Sequence, residues 1–392
     1  MVSQRFKVWL YVIEAMGSLA CGLYGEYFYF MLRDRYGFTN LGNLSVSAMQ
    51  GVIFAIAAWI GGRFAQRHGY VAGLRTGLIG MAGALFVGGV CSSLLAQLLV
   101  FVVWTAAMCF VSPAQEALIS DGESAATLPR TIGIFNVVWA SCSASSYFFG
   151  GALFERLGRN CIYWLPIGVF CVQLLILAIV VNRSAILESP SLAEIEGTPL
   201  EIAIPSRRAG SGRLFQRTAW LANPFACIGI NTLLAMIPGL AQKHHLSTSA
   251  AGAFCSIWFF GRLVSFTILW RWVGWHYQFR WLLGAFLGLM AGFAAFLIAS
   301  NLWCLVIAQV IFGLSVGLIY YSSLFYSMDV GDRKGEHGGV HEAVMGVGNC
   351  IGPFVGAAGL FFAPQIPNVS AYAVTLFLAG GLVGIIRLQR YF

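Results

Sequence analysis

The sequence predicts an all-α membrane protein, with twelve transmembrane helices arranged as two pseudo-symmetric six-helix bundles. Three observations carry that reading. Of 392 residues, 59% are hydrophobic and 10% charged, with a mean hydropathy of +0.78, whereas an ordinary soluble domain carries about a quarter charged residues. A hydrocarbon core about 30 Å thick needs about 20 apolar helical residues to cross, and twelve such runs can be counted. The third observation is an internal repeat that relates the first six runs to the last six.

The first run, 8–32, stays apolar through Tyr24, Tyr27, Phe28, Tyr29 and Phe30 toward Arg33. It is therefore read as a retained helix, not a cleaved signal peptide. Spans 41–63, 76–96, 98–120, 131–154 and 161–182 complete an N-terminal bundle within 1–182. The stretch 183–217 follows, with Pro190, Pro199, Pro205, four glutamates and five arginines, and is read as a linker between bundles. Its part from Ser191 to Ile204 suits either a short amphipathic helix or a flexible tether. Spans 218–241, 248–270, 280–300, 302–327, 339–361 and 369–388 build a C-terminal bundle within 218–392.

Lys and Arg are retained on the cytoplasmic side of short loops. An even helix count puts both termini on one side, and that side holds 17 of the 23 basic residues. The opposite side holds Arg33, Arg35, Arg156, Arg159 and Lys243, and Arg262 lies within a helix. Both termini are expected to be cytoplasmic, in a multi-pass protein of the cell (inner) membrane. The net charge of +8 then reflects topology; nucleic-acid binding would need the arginines on one soluble face. The ten cysteines form no CxxC pair and fall in apolar runs, as small buried hydrophobes do. No cofactor or metal is expected.

The repeat appears in the eleventh span, which holds Gly339, Gly348, Gly352, Pro353 and Gly356. Subtracting 206 gives Gly133, Cys142, Ser146, Tyr147 and Gly150 in the fifth span, and Asp121 and Asp329, ending the fourth and tenth, are 208 apart. Small residues at this spacing let helices approach closely in lipid.

The loop after the second span, Gly62-Arg-Phe-Ala-Gln66-Arg67-His-Gly69-Tyr, resembles the loop signature of the major facilitator superfamily, with Gly62, Arg67 and Gly69 matching and Gln66 in place of the acid. Trp270-Arg271-Trp272-Val273-Gly274 keeps the Arg and a nearby Gly in the second half. The segment from Gly339 to Ala357 resembles the Gly-Pro motif of that family's drug antiporters, although there it lies in helix five, where this chain has Tyr147. The fourth span also lacks the Arg that marks proton-coupled drug antiporters. The resemblance implies a two-bundle transporter, with the first, fourth, seventh and tenth spans around a central cavity, but argues against drug/proton antiport.

An ionisable side chain at the bilayer centre costs at least ~2.5 kcal/mol, so each one that persists invites a functional reading. Glu14 and Glu26 of the first span, Glu116 of the fourth and Arg262 of the eighth qualify. Glu26 lies about 18 Å beyond Glu14 along the helix and is turned about 120° from it, so the two are not a carboxylate pair. Glu26, flanked by Tyr24, is the first candidate for binding a cation, a proton or a polar substrate group. Glu14 could instead snorkel to the cytoplasmic interface. Arg262 implies a carboxylate partner or an anionic substrate. Asn231, Tyr320 and Tyr321 complete the candidate substrate or proton site. A cytoplasmic gate is expected among Arg63, Arg67, Asp121, Arg271, Asp329, His341 and Glu342, with Arg67 pairing with Glu342. Metal binding by His337 and His341 is the weaker reading of that pair.

These features favour a secondary active transporter of a small organic solute working by alternating access, with the lipid bilayer as solvent, protons as a candidate coupling ion, no nucleic-acid partner and a monomeric state. The alternatives are a flippase or exporter of a lipid-like molecule on the same fold, or a non-transporting membrane receptor or enzyme. The chain shows no phosphate loop, metal cluster or nucleophile elbow to support an enzyme.

Overall fold

A computed structural model describes residues 4–123, 127–187, 206–272, 274–330 and 334–390. Among the described residues the regular structure is all helical. The N-terminal half contains α1 (Gln4–Tyr36), α2 (Asn40–His68), α3 (Tyr70–Val90), α4 (Leu94–Ser120), α5 (Leu128–Leu157) and α6 (Cys161–Leu187). The C-terminal half contains α7 (Ser206–Lys243), α8 (Thr248–Cys255), α9 (Ile257–Arg271), α10 (Phe279–Ile298), α11 (Leu302–Val330), α12 (Lys334–Phe362) and α13 (Val369–Arg390). Among the described residues twelve spans are long and apolar enough to cross a bilayer, in agreement with the count from the sequence.

Lipid explains both their form and their surface. Every backbone N–H and C=O at membrane depth needs an internal partner, which a helix provides. The outer faces carry apolar side chains such as Leu95, Trp303, Phe362 and Leu376, all well exposed in the isolated chain. The eighth span is broken into α8 and α9 at Ser256, whose hydroxyl donates to the Ala253 carbonyl (2.7 Å). Helical structure also extends into both ends of the expected linker, since α6 runs to Leu187 and α7 begins at Ser206. The glutamate-rich segment from Ser191 to Ile204 lies outside the described residues.

The repeat has a spatial counterpart. In the first half, α5 lies on α1 of its own bundle and on α8 and α9 of the other; in the second half, α12 lies on α7 and on α2. Glycines set these distances. A Cβ at Gly348 would overlap the Pro224 carbonyl, and one at Gly352 would lie 2.7 Å from Thr232 Oγ1. Gly356 faces Leu44 of α2, while Pro353 sits inside α12. From the other side, a Cβ at Gly51 would overlap the backbone of Asn349 and Cys350, and one at Gly346 would lie 2.6 Å from Ala55 Cα. In α5, Ser146 donates to the Leu19 carbonyl of α1 (2.9 Å), and Gly150 lies under the Tyr27 ring. Gly339 belongs to α12, but its contacts lie outside the described residues.

On the face remote from the termini the two halves meet through specific contacts. The Ser249 N–H donates to Glu155 (2.9 Å), and Arg33 Nη1 donates to the Pro238 carbonyl (2.9 Å). The Tyr27 hydroxyl donates to the Tyr147 carbonyl and sits where a side chain at Gly252 would stand. Tyr147, in the place of the repeat's Pro, stacks on Phe259 with centroids 5.0 Å apart.

Candidate functional site: a two-lobed cavity between the bundles

Between the bundles lies a cavity with two adjoining lobes, of about 290 and about 280 Å³. Glu14, Met108, Ser112, Trp139, Ile230, Asn231 and Arg262 line both lobes, which makes them one continuous space. Its first wall is α1, where Glu14, Gly17, Ser18, Cys21, Gly22, Gly25, Glu26 and Tyr29 face inward. These positions recur every three or four residues, the spacing of one helix face. Three glycines among them keep that face flat: a Cβ at Gly17 would lie 3.1 Å from Gln173 Nε2, and one at Gly25 would lie 3.2 Å from the Trp104 ring.

The first lobe holds Glu26 and Arg262. Glu26 Oε2 is buried without a hydrogen-bond partner, as is Arg262 Nε. The two groups line the same lobe, but among the described residues they form no ion pair. Arg262 instead lies against aromatic faces, with its guanidinium carbon 4.2 Å from the Trp139 centroid, 5.2 Å from Phe259 and 5.4 Å from Trp258. Such contacts stabilise a desolvated guanidinium. Trp139 comes from α5 and Arg262 from α9, so this contact also spans the two bundles.

The second lobe is acidic. Glu116 of α4 and Glu342 of α12 both line it, and Glu14 adds a third carboxyl. Glu14 accepts a hydrogen bond from Ser18 Oγ (2.6 Å), whereas Glu116 Oε2 has no partner. Asn223, only 1% exposed, lines this lobe with both amide atoms unpartnered. Asn231 donates to Asn349 Oδ1 (2.6 Å), fixing the polar wall between α7 and α12.

Of the residues singled out from sequence, Glu14, Glu26, Glu116, Asn231, Arg262 and Tyr320 all line the cavity. Glu14 faces this interior space, which corrects the alternative of snorkelling to the interface. Tyr24 does not line it. Its ring is fully buried among Phe28, Phe101, Trp104 and Tyr163, inside the N-terminal bundle. Tyr321 likewise packs against Phe266 and Trp275.

The expected gate also separates. Arg67 and Arg271 are exposed, and Arg63 is exposed with its guanidinium 4.0 Å from the Trp59 centroid. Glu342 is 4% exposed and belongs to the cavity. Among the described residues Arg67 makes no ion pair with it. The reason is depth: α12 begins at Lys334, so Glu342 lies eight residues inside the helix, about 12 Å from its start. Asp121 is exposed, and its carbonyl accepts from Lys7 Nζ (2.8 Å). The side chains of Asp329, His337 and His341 lie outside the described residues.

Sequence reasoning missed Gln50, Trp139, Gln173, Asn223 and Asn349. Gln50 accepts from the Tyr29 hydroxyl (3.1 Å), and Gln173 donates to the Ile13 carbonyl (2.6 Å). The glycine stripe on α1 was the available signal, since an inward row of small residues beside two glutamates marks an open face.

The profile of the Major Facilitator Superfamily matches residues 28–353. The chain belongs to the major facilitator superfamily. As a member it is a multi-pass membrane transporter with a small-molecule substrate. The human organic anion transporter MFSD10 (TETRAN) superposes with a TM-score of 0.68 at 14% identity, over 98% of this chain and 99% of that one. A point mutant of the nucleoside transporter NupG superposes with a TM-score of 0.69 at 12% identity, with the same coverage. At such identities the likeness is one of fold. No curated protein sequence matches this superfamily member.

Proposed function

We propose that this protein is a secondary active transporter that moves a small organic solute by alternating access, with protons as the coupling ion. The observation that carries the reading is the continuous cavity, to which both bundles contribute ionisable groups. Rocking of the bundles about this site would expose it to each side in turn. Support for proton coupling comes from Glu116 and Glu342, carboxyls of opposite bundles facing one lobe. Two carboxylates so placed repel when both are ionised, and one shared proton relieves the repulsion. Proton occupancy would then bias how closely α4 and α12 approach. The charged, amide-rich lining suits a polar solute better than an acyl chain, which favours this reading over a lipid flippase.

Uptake of a panel of small solutes into proteoliposomes, with and without an imposed proton gradient, tests it. Gradient-driven accumulation is expected for the wild type. Glu116→Gln should abolish accumulation while leaving solute exchange at equilibrium. Accumulation by Glu116→Gln equal to wild type would remove this carboxyl pair from the coupling.

A further inference from the structure

The structure assigns the first lobe to a zwitterionic solute of amino-acid size with an apolar body, its carboxylate on Arg262 and its ammonium on Glu26. This deepens the transport reading above and rests on it.

Arg262 and Glu26 are opposite in charge and line the same lobe, yet among the described residues they make no ion pair. Each keeps a buried atom without a partner, Nε on the arginine and Oε2 on the glutamate. Leaving both desolvated and unmatched is costly, and a ligand with one charge of each sign between them removes both deficits. A purely anionic ligand would satisfy the guanidinium and face repulsion from Glu26. A purely cationic one would do the reverse. The guanidinium presents a planar fork that fits a carboxylate, and the aromatic faces around it leave its edge as the hydrogen-bonding direction.

The rest of the lobe specifies the body. Its walls include Trp104, Met81, Met108 and Trp258, and Gly22 and Gly25 keep α1 from filling the space. Such apolar surface favours a hydrocarbon or aromatic side chain. Glu14 also lines this lobe, but its carboxyl already accepts from Ser18 Oγ, and Glu116 and Glu342 lie in the other lobe. Arg262 is the one buried arginine or lysine lining either lobe among the described residues. It therefore fixes the carboxylate end.

The test uses the purified full chain in lipid nanodiscs and compares leucine and phenylalanine with two singly charged analogues, phenethylamine and 3-phenylpropionate. Ligand binding to the folded state raises its melting temperature. Phenylalanine or leucine should stabilise the wild type, with each analogue binding at least ~10-fold more weakly, the loss expected for one charge-assisted pair. Arg262→Gln should reduce phenylalanine to the affinity of phenethylamine, and Glu26→Gln should reduce it to that of 3-phenylpropionate. Arg262→Lys, which keeps the charge without the fork, should retain weakened zwitterion binding. An analogue that binds the wild type as tightly as phenylalanine overturns the assignment, and so does a wild type that ignores both amino acids. The wild-type comparison decides the matter even where a variant fails to fold. A chain that transports other solutes but ignores zwitterions refutes this inference alone. One that binds phenylalanine and transports nothing refutes the transport reading alone.

Discussion

Lys7 at the start of α1 shows how one side chain ties down a loop. Its ammonium donates to the Asp121 carbonyl and to the Glu123 carboxylate, both just beyond α4. That hydrogen bond, reinforced by one from Thr127, holds the Glu123 carboxyl below the usual range. A group whose folded pKa is depressed stabilises the fold above its unfolded value and loses that contribution as pH falls. The contribution of Glu123 should therefore be complete near neutral pH and decline below about pH 4.3, the ordinary Glu value. Lys7→Met should lower the melting temperature in detergent at pH 7 by a loss on the order of 1 kcal/mol, and the gap to wild type should narrow at pH 4. An unchanged gap would show that Glu123 is not the partner that matters. The same residue-by-residue view explains what was legible in the sequence. Glu26, Glu116 and Arg262 stand out because a charge in an apolar run is conspicuous. Gln173, Asn223 and Trp139 do not, because neutral amides and indoles are common in membrane helices. Tyr24 and Tyr321 were misplaced because only the rotation of a helix decides whether a ring faces the bundle core or the cavity.

Between helices, small residues act where backbones touch. A methyl at Gly348 would overlap the Pro224 carbonyl and lie 2.9 Å from Cys227 Cβ, whereas one at Gly83 of α3 would meet nothing within 4 Å. Gly348→Ala should destabilise the protein by about 1–3 kcal/mol through overpacking. Gly83→Ala should be neutral or stabilising by up to about 1 kcal/mol, because Gly in a helix interior is entropically costly. Comparable melting temperatures for the two variants would contradict the close approach of α12 to α7. At this scale the sequence was informative about which helix carries the motif, because the 206-residue offset aligned α12 with α5. It was less informative about depth. The helix of the eleventh span begins at Lys334, so Glu342 sits two turns inside it and lines the cavity, where the sequence reading expected a gate.

For the whole molecule, transport by rocking requires the contacts on the face remote from the termini to part. Cysteines at Glu155 and Ser249, with the exposed Cys91, Cys171 and Cys304 changed to Ser, would tether α5 to α8 there. Oxidation should stop uptake into proteoliposomes, and a reductant should restore it; full uptake by the oxidised protein would mean that this face never opens. The two seams between the bundles differ in what such a movement must undo. Along α2 and α12, Gly51 and Gly346 set backbone against backbone, so a change of tilt there has few rotamers to rearrange and resembles a bearing. Along α5, by contrast, the Tyr147 ring must leave Phe259 of α9 and the Glu155 carboxylate must release the Ser249 N–H of α8. The friction of such a cycle would then fall where side chains, and not backbones, hold the two halves together.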